Sequence, residues 1–523
     1  MMLPTALEGK PESLHTDEKT LETQVFEEPA PVEESEYPAT RTIDKLTRWL
    51  SKWGVETQGI TPTPLEQRTD PRMYQMFFAW FSANANILTF GAGTVGPAFF
   101  NLGQRTSFLV ILVVDIISCA FPAFFATFGP KLGTRAMVQS RFSWGYYGAI
   151  IPSILNVISM QGYLIINCIV GGQTLASISN HLSPAVGVVI IGLVSFAVTF
   201  CGYRVLHWYE MIVWIPNVIA FIIMLGVGGK SLVQAPVADP SPADAATVLT
   251  FGATLAATVV SWSTITPDYG VYHDGHASSL RIFFYAYLGF LVSSVPAHLL
   301  GAAFTAASVS VPSWRAGLGN GNDVGGLIAA ILSPTGGFGK FLLVLLSLTT
   351  TSACAPTLYT VCTSFMTISS VFAHIPRFVI AILSTTILIP VAIVGAAHFY
   401  ATFVQILSFS GYWLAPFTAI VLTEHVVFRR ARWSSYEVQK CWNQPARLPS
   451  SLPAVLTFIT TIGIVVLCME QEWWTGPIAK AGTGDVGILV GFVSAVFIYA
   501  GFRAMDIRYR SRTVTSKSNI FGA

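Results

Sequence analysis

Tyr163 and Asn167 lie four residues apart in an apolar run, so a helix through them sets an aromatic face and a side-chain amide on one side, a turn apart. A ring that stacks on a flat molecule, beside an amide that bonds its edge, suits recognition of a small heterocycle. Either residue alone also serves as an ordinary helix-to-helix contact. Trp262, in a later apolar run, offers a second stacking surface. Glu210 heads the run GYRVLHWYEMIVWIPNVIAFIIML and is the main ionisable candidate. A charge at the centre of a membrane helix costs about 2.5–3.5 kcal/mol on insertion scales, so a carboxylate kept there faces a cavity and titrates. Glu210 therefore carries a proton, or else it lies at the interface and pairs with Arg204 or His207. Asp115 is its rival in an earlier run. Thr349, Thr350, Thr351 and Ser352 are consecutive hydroxyls ahead of Pro356. They either hold sodium together with backbone carbonyls, since a hard cation wants oxygen ligands, or bond back to their own helix.

The elements that position these residues are membrane helices. With 53% hydrophobic and 11% charged residues and a mean hydropathy of +0.60, the chain lies outside the range of soluble domains, where charged residues make up about 25%. Runs of roughly 20 apolar residues, the length that crosses about 30 Å of hydrocarbon, recur near 77–100, 106–128, 147–175, 184–202, 209–229, 247–266, 282–307, 339–366, 376–397, 401–427, 452–470 and 484–505. The fold class expected is an all-α membrane protein of about twelve transmembrane helices. Asp323–Leu332 reads as a short helix between the seventh and eighth spans.

The first span is a poor membrane helix, because SANANILTFGAGTVGP interrupts it with two asparagines, two threonines and three glycines. Backbone leaves a helix at bilayer depth only where it is buried in protein or lines a cavity. Asn86 in this run is a candidate substrate contact. The sixth span, FGATLAATVVSWSTITPDYGVYHDG, is likewise rich in Ser, Thr and Gly and closes on Pro267. Two interrupted helices five spans apart match an inverted repeat of two five-helix halves with the substrate site between them. The last two spans are additions outside that repeat.

Of the 27 acidic residues, 14 lie in residues 1–70, and residues 1–40 carry ten acids with Pro29, Pro31 and Pro38. That is the composition of a disordered tail, where Lys10 and Lys19 are possible sites of modification. Ile43, Leu46, Leu50 and Trp53, with Lys45, Arg48 and Lys52 between them, suit a short helix on the inner leaflet. The domains expected are a cytoplasmic tail over 1–70, a transporter domain over 71–510 and a C-terminal tail over 511–523. No cleaved signal peptide is expected. Loops on the side of the termini hold eleven basic residues, among them Lys131, Arg135, Arg141, Arg429 and Lys440, against five opposite, which favours cytoplasmic termini. Nothing points to an enzyme, a metal or a cofactor: there is no P-loop, and histidines, carboxylates and the seven cysteines show no ligand spacing. The net charge of +2 gives no reason to expect nucleic acid.

GITPTPLEQRTD (Gly59–Asp70) followed by FFAWFSANANILTFGAGTVGP, GGQTL after the third span, and GYWLAPFTAIVLTEHVVFRR (Gly411–Arg430) resemble the fungal purine-cytosine permeases of the nucleobase-cation symport family. The resemblance runs from about Gly59 to Arg510. It implies a LeuT-like five-plus-five fold and proton-coupled uptake of cytosine, adenine, guanine or hypoxanthine across the plasma membrane, with sodium the less favoured ion. It places substrate contacts on Thr89, Tyr163, Asn167 and Trp262, and proton coupling on Glu210. Two positions depart from the family pattern. Tyr163 stands where tryptophan is usual, and Ala353 and Cys354 replace an asparagine pair, which leaves Cys354 as the eighth-span contact. A carrier of another heterocycle such as vitamin B6, or a transporter-like sensor that signals through its tails, stands as the alternative.

Overall fold

The computed structural model describes residues 59–521 except 180, 201, 236–241 and 320, with the side chains of 199–208, 210 and 511–521 also outside the description. The tail with Lys10 and Lys19 and the amphipathic stretch at Ile43–Trp53 thus lie outside the described residues.

Helices occupy each of the twelve apolar runs. Among the described residues, eight helical stretches are long and apolar enough to cross a membrane, and shorter apolar helices run over Ile87–Ala98, Pro184–Val198, Val324–Thr335 and Leu452–Cys468. The helices that frame the site are α1 (Tyr74–Asn84), α2 (Ile87–Ala98), α3 (Gln104–Ser118), α4 (Ile150–Ala176), α5 (Ala245–Val260), α6 (Thr266–Tyr269), α7 (Ser279–Ala307), α8 (Thr351–Ile368) and α9 (Phe399–Thr423). The short helix expected at Asp323–Leu332 is present as Val324–Leu332, with the Asp323 carboxylate capping it at the Gly326 N–H.

The polarity of α3 is inside out. On α3 the buried positions are Ser107, Ile111, Asp115 and Ser118, while Leu109, Val113, Ile116 and Ile117 are each more than half exposed. In water that arrangement would be unstable; in hydrocarbon the exposed face costs nothing and the polar groups find partners inside.

The first span breaks over two residues. Ala85 (φ −77°, ψ 59°) and Asn86 (φ −135°, ψ 174°) leave the helix between α1 and α2. A helix start leaves unpaired N–H groups, and Asn86 answers them: its Oδ1 accepts from Leu88 N at 2.8 Å and Thr89 N at 3.0 Å, while its Nδ2 donates to Ala83 O at 2.5 Å. The glycines read as helix breakers are helical. Gly93 and Gly96 instead give space: a Cβ on Gly93 would collide with the His298 carbonyl on α7, and one on Gly96 would meet Ser107 Oγ at 2.9 Å.

The sixth span loosens differently. After α5 a 3-10 turn covers Ser261–Thr264, and Pro267 opens the one-turn α6. The hydroxyls that made this span look weak satisfy its own carbonyls, Thr258 on Leu255, Ser261 on Thr258 and Thr264 on Ser261.

The segment before α1 straps two loops together. Thr63 N donates to Gly133 O at 2.8 Å, Arg68 Nη1 to Pro130 O at 2.7 Å, and Asp70 pairs with the stretch after α6 through Asp70 N to Tyr272 O at 3.2 Å and Asp274 N to Asp70 O at 2.9 Å. In this strap Arg72 holds the Asp70 carboxyl below its ordinary range against the opposing effect of burial, which is the largest single influence. Burial pushes His273 down, and both its ring nitrogens lack partners among the described residues.

Candidate functional site

Both breaks open onto one cavity, lined from α1, α2 and α4, the sixth span, α7, α8 and α9. Asn86, Thr89, Tyr163, Asn167 and Trp262 all line it.

Their roles differ in kind. Asn86 is spent on capping α2, and Thr89 Oγ1 lies 3.4 Å from the same Asn86 oxygen. Tyr163, 8% exposed, donates from its hydroxyl to Ala257 O at 3.1 Å and so ties α4 to the sixth span. Asn167 Nδ2 donates to Tyr163 O at 2.9 Å, while its Oδ1 is buried without a partner among the described residues. An orphaned acceptor of this kind costs about 1–3 kcal/mol, and in a cavity wall it waits for a donor. Trp262 is held edge-on by Trp80 at 5.9 Å between ring centroids, and Trp80 stacks on Phe290 at 5.2 Å.

Cys354 is not among the lining residues. It is fully buried with its thiol against that of Cys168, and Ala353, one position earlier on α8, lines the cavity with Thr357. One residue along a helix turns the side chain by roughly 100°, which moves position 354 off the wall. Glu210 lies in the helix Gly202–Gln234, and its side chain lies outside the described residues. Of the other polar groups of the third span, Asn156 bonds Ser364 at 2.8 Å and Gln161 bonds Ser384 through both ends of its amide. They are struts between helices.

Three of the four consecutive hydroxyls follow the plainer reading. Thr349, Thr350 and Thr351 donate to Leu346 O, Ser347 O and Leu348 O of their own chain, at 2.7, 2.7 and 2.8 Å. Thr349 Oγ1 also lies 2.6 Å from Asn217 Oδ1, and Thr351 bonds Tyr209. Ser352 reaches across to Ser82 O on α1 at 3.4 Å.

Sequence reasoning did not single out Asn84, Ser261, His298 or Phe403, all of which line the cavity. His298 carried a signal, as a titratable group inside an apolar span; its partner is Asp115, at 2.8 Å between Nδ1 and Oδ2. Phe403 carried none. Below the cavity, Asp268 on α6 accepts from Ala136 N at 2.7 Å, Thr363 at 2.8 Å and Thr360 at 3.1 Å, while Arg135 donates to the Asp268 carbonyl at 2.8 Å.

The family model of permeases for cytosine/purines, uracil, thiamine and allantoin matches residues 62–476. The chain belongs to this permease family. Among its relatives, the purine-cytosine permease fcyB of Emericella nidulans is 32% identical over 90% of this chain and 92% of its own. The purine-cytosine permease FCY21 of Saccharomyces cerevisiae is 32% identical over 96% of each chain. The vitamin B6 transporter TPN1 of Saccharomyces cerevisiae is 27% identical over 90% of this chain and 91% of its own. In fold the permease is similar to Mhp1, a nucleobase-cation-symport-1 family transporter solved closed with bromovinylhydantoin bound, with a TM-score of 0.65 at 15% identity over 87% of this chain and 96% of that one. The all-α, LeuT-like five-plus-five architecture read from the sequence is therefore the one observed, and the chain is a membrane transporter and not an enzyme. The neighbours do not extend to the count of twelve crossings.

Proposed function

We propose that this permease imports a purine or pyrimidine nucleobase of the cytosine, adenine, guanine and hypoxanthine class by proton symport, with the cavity exposed to either side in turn. The observation that carries the reading is the unpartnered Asn167 Oδ1 in a wall shared with Tyr163 and Trp262. A planar base brings what that wall lacks, an N–H edge in the plane of a ring that aromatic side chains can cover. The kinship with purine-cytosine permeases supports the same class.

Uptake of radiolabelled cytosine in cells without carriers of their own, competed by purines, pyrimidines and pyridoxine, tests the substrate class. In that assay Asn167→Ala should weaken apparent affinity about ten- to a hundredfold, the ~1–3 kcal/mol of a lost hydrogen-bond partner. An unaltered affinity would remove Asn167 from the site. A second reading has its own support: Ala353 presents no hydrogen-bonding group at the eighth-span wall, and TPN1 is a relative. Competition by pyridoxine and not by bases would select it.

In this reading Glu210 couples proton to substrate, both termini face the cytoplasm, and the membrane is the plasma membrane. Glu210→Gln should abolish accumulation against a gradient while leaving the protein folded and at the surface. Concentrative uptake at the wild-type level would end that role. Replacing sodium in the medium separates the two ions, since a proton symporter keeps its uptake.

A further inference from the structure

Asp115 is fully buried on α3, with one oxygen on His298 and the other, Oδ1, without a partner among the described residues. His298 sits on α7, is 1% exposed, and lines the cavity. With Nδ1 committed to Asp115, Nε2 is the ring nitrogen left for a molecule in the cavity. The backbone at this point is held tightly, since the His298 carbonyl packs directly on Gly93 of α2, the helix that starts at the break.

We propose that Asp115 and His298 form a second proton-binding site of this transporter, one that reads the cavity directly through the His298 ring. The charge count supports it. With one proton shared between them the pair is neutral overall, whichever partner holds it. Without that proton it carries one negative charge at a depth where an uncompensated ion costs several kcal/mol. The proton enters at Nε2 from the cavity while the proton on Nδ1 passes to Asp115 Oδ2; on release the same two transfers run backwards. The pair gains one proton on loading and loses that one on release, and no other atom changes hands.

The surroundings offer little to offset the negative state. Cys119 lies one turn beyond Asp115, and Tyr287 on α7 donates to Ile116 O at 3.0 Å. The neighbouring α2, α5 and Ala120–Phe125 contain no titratable side chain. Tyr74 begins α1; Arg105 starts α3 ten residues before Asp115, and Arg281 and Tyr285 lie on α7 more than three turns before His298; the helix Gly202–Gln234, which also packs on α7, carries Tyr203, Arg204, His207, Tyr209, Glu210 and Lys230, and Tyr163 lies on the α4 wall of the cavity. Loading this site with a proton while substrate occupies the cavity removes a buried charge, so substrate and proton favour each other's binding.

The proposal rests on the transport reading for its consequence and on protonation for its substance, and each has its own test. In cells taking up radiolabelled cytosine, Asp115→Asn and His298→Gln are compared with the wild type, and Asp115→Asn, whose side chain does not line the cavity, should still exchange cytosine across the membrane. Their accumulation ratio should fall about tenfold or more, the factor one pH unit carries, and the pH dependence of apparent affinity should flatten. Variants that accumulate as the wild type does, with its pH profile, overturn the coupling. Infrared difference spectra of the purified full-length protein on a pH jump need no substrate. A protonated-carboxyl band lost in Asp115→Asn and shifted in His298→Gln, but kept in Glu210→Gln, is expected. A spectrum unchanged by Asp115→Asn overturns the site even if cytosine proves to be the cargo. Failure of the wild type to take up any base, with the band present, tells against the nucleobase reading alone.

Discussion

Gly93→Ala and Gly301→Ala are expected to leave little folded transporter. At the crossing of α2 and α7 each helix places a glycine against the other's backbone, Gly93 on the His298 carbonyl and Gly301 on the Phe90 carbonyl, and a Cβ at either would collide with it. Overpacking costs about 1–3 kcal/mol when side chains can turn aside. A carbonyl oxygen cannot, so one helix must shift along the whole contact, and the loss should reach or pass ~3 kcal/mol. Gly226→Ala is the control, with nothing within 4 Å of its Cβ; there alanine should be neutral or gain up to ~1 kcal/mol of helix propensity. Thermal melting of the detergent-solubilised protein and surface delivery read the difference. A Gly93→Ala protein melting with the control would mean that the crossing is looser than described.

Asp268→Ala should be nearly as damaging, for an electrostatic reason. One carboxylate takes up the Ala136 N–H and the Thr360 and Thr363 hydroxyls, joining α6 to α8 and to the helix Ala136–Gly148, with Arg135 bonded to its carbonyl. Its removal strands three buried donors and leaves the Arg135 charge less compensated, on the order of 3–5 kcal/mol. Asp268→Asn keeps the shape and one acceptor oxygen, so it should lose less. If both melt as the wild type does, the three bonds contribute nothing net.

The existence of both breaks was legible because Asn, Ser, Thr and Gly at bilayer depth have few other reasons to be there. Their positions were less so. Gly91, Gly93 and Gly96 read as helix breakers, yet only Ala85 and Asn86 leave the helix. A sequence does not say whether a glycine supplies a backbone angle or an empty place for a neighbour, and here it is the second. Asn86 read as a substrate contact because an amide at a break looks unemployed; the helix start one residue later employs it. Cys354 missed the cavity by one residue of helical phase. Tyr163 and Asn167 came out together because four-residue spacing is a local property, whereas Asp115 and His298, 183 residues apart, meet only through a tertiary crossing that no local pattern encodes.

The interruption of the first span looks like a joint, but α7 splints it. Gly289 on α7 lies against the Phe77 carbonyl of α1, where a Cβ would come within 2.7 Å, and Gly301 lies against the Phe90 carbonyl of α2. Both fragments are thus seated on one helix, one on each side of the gap, with Pro296 between the two contacts. To flex at Ala85–Asn86, the chain would have to lift one fragment off a glycine contact that has no slack, and packed interiors deform poorly. The gap is then no hinge. Whatever opens the cavity then carries α1, α2 and α7 together, and the bending falls in connections elsewhere in the chain or at Pro296 of α7 itself.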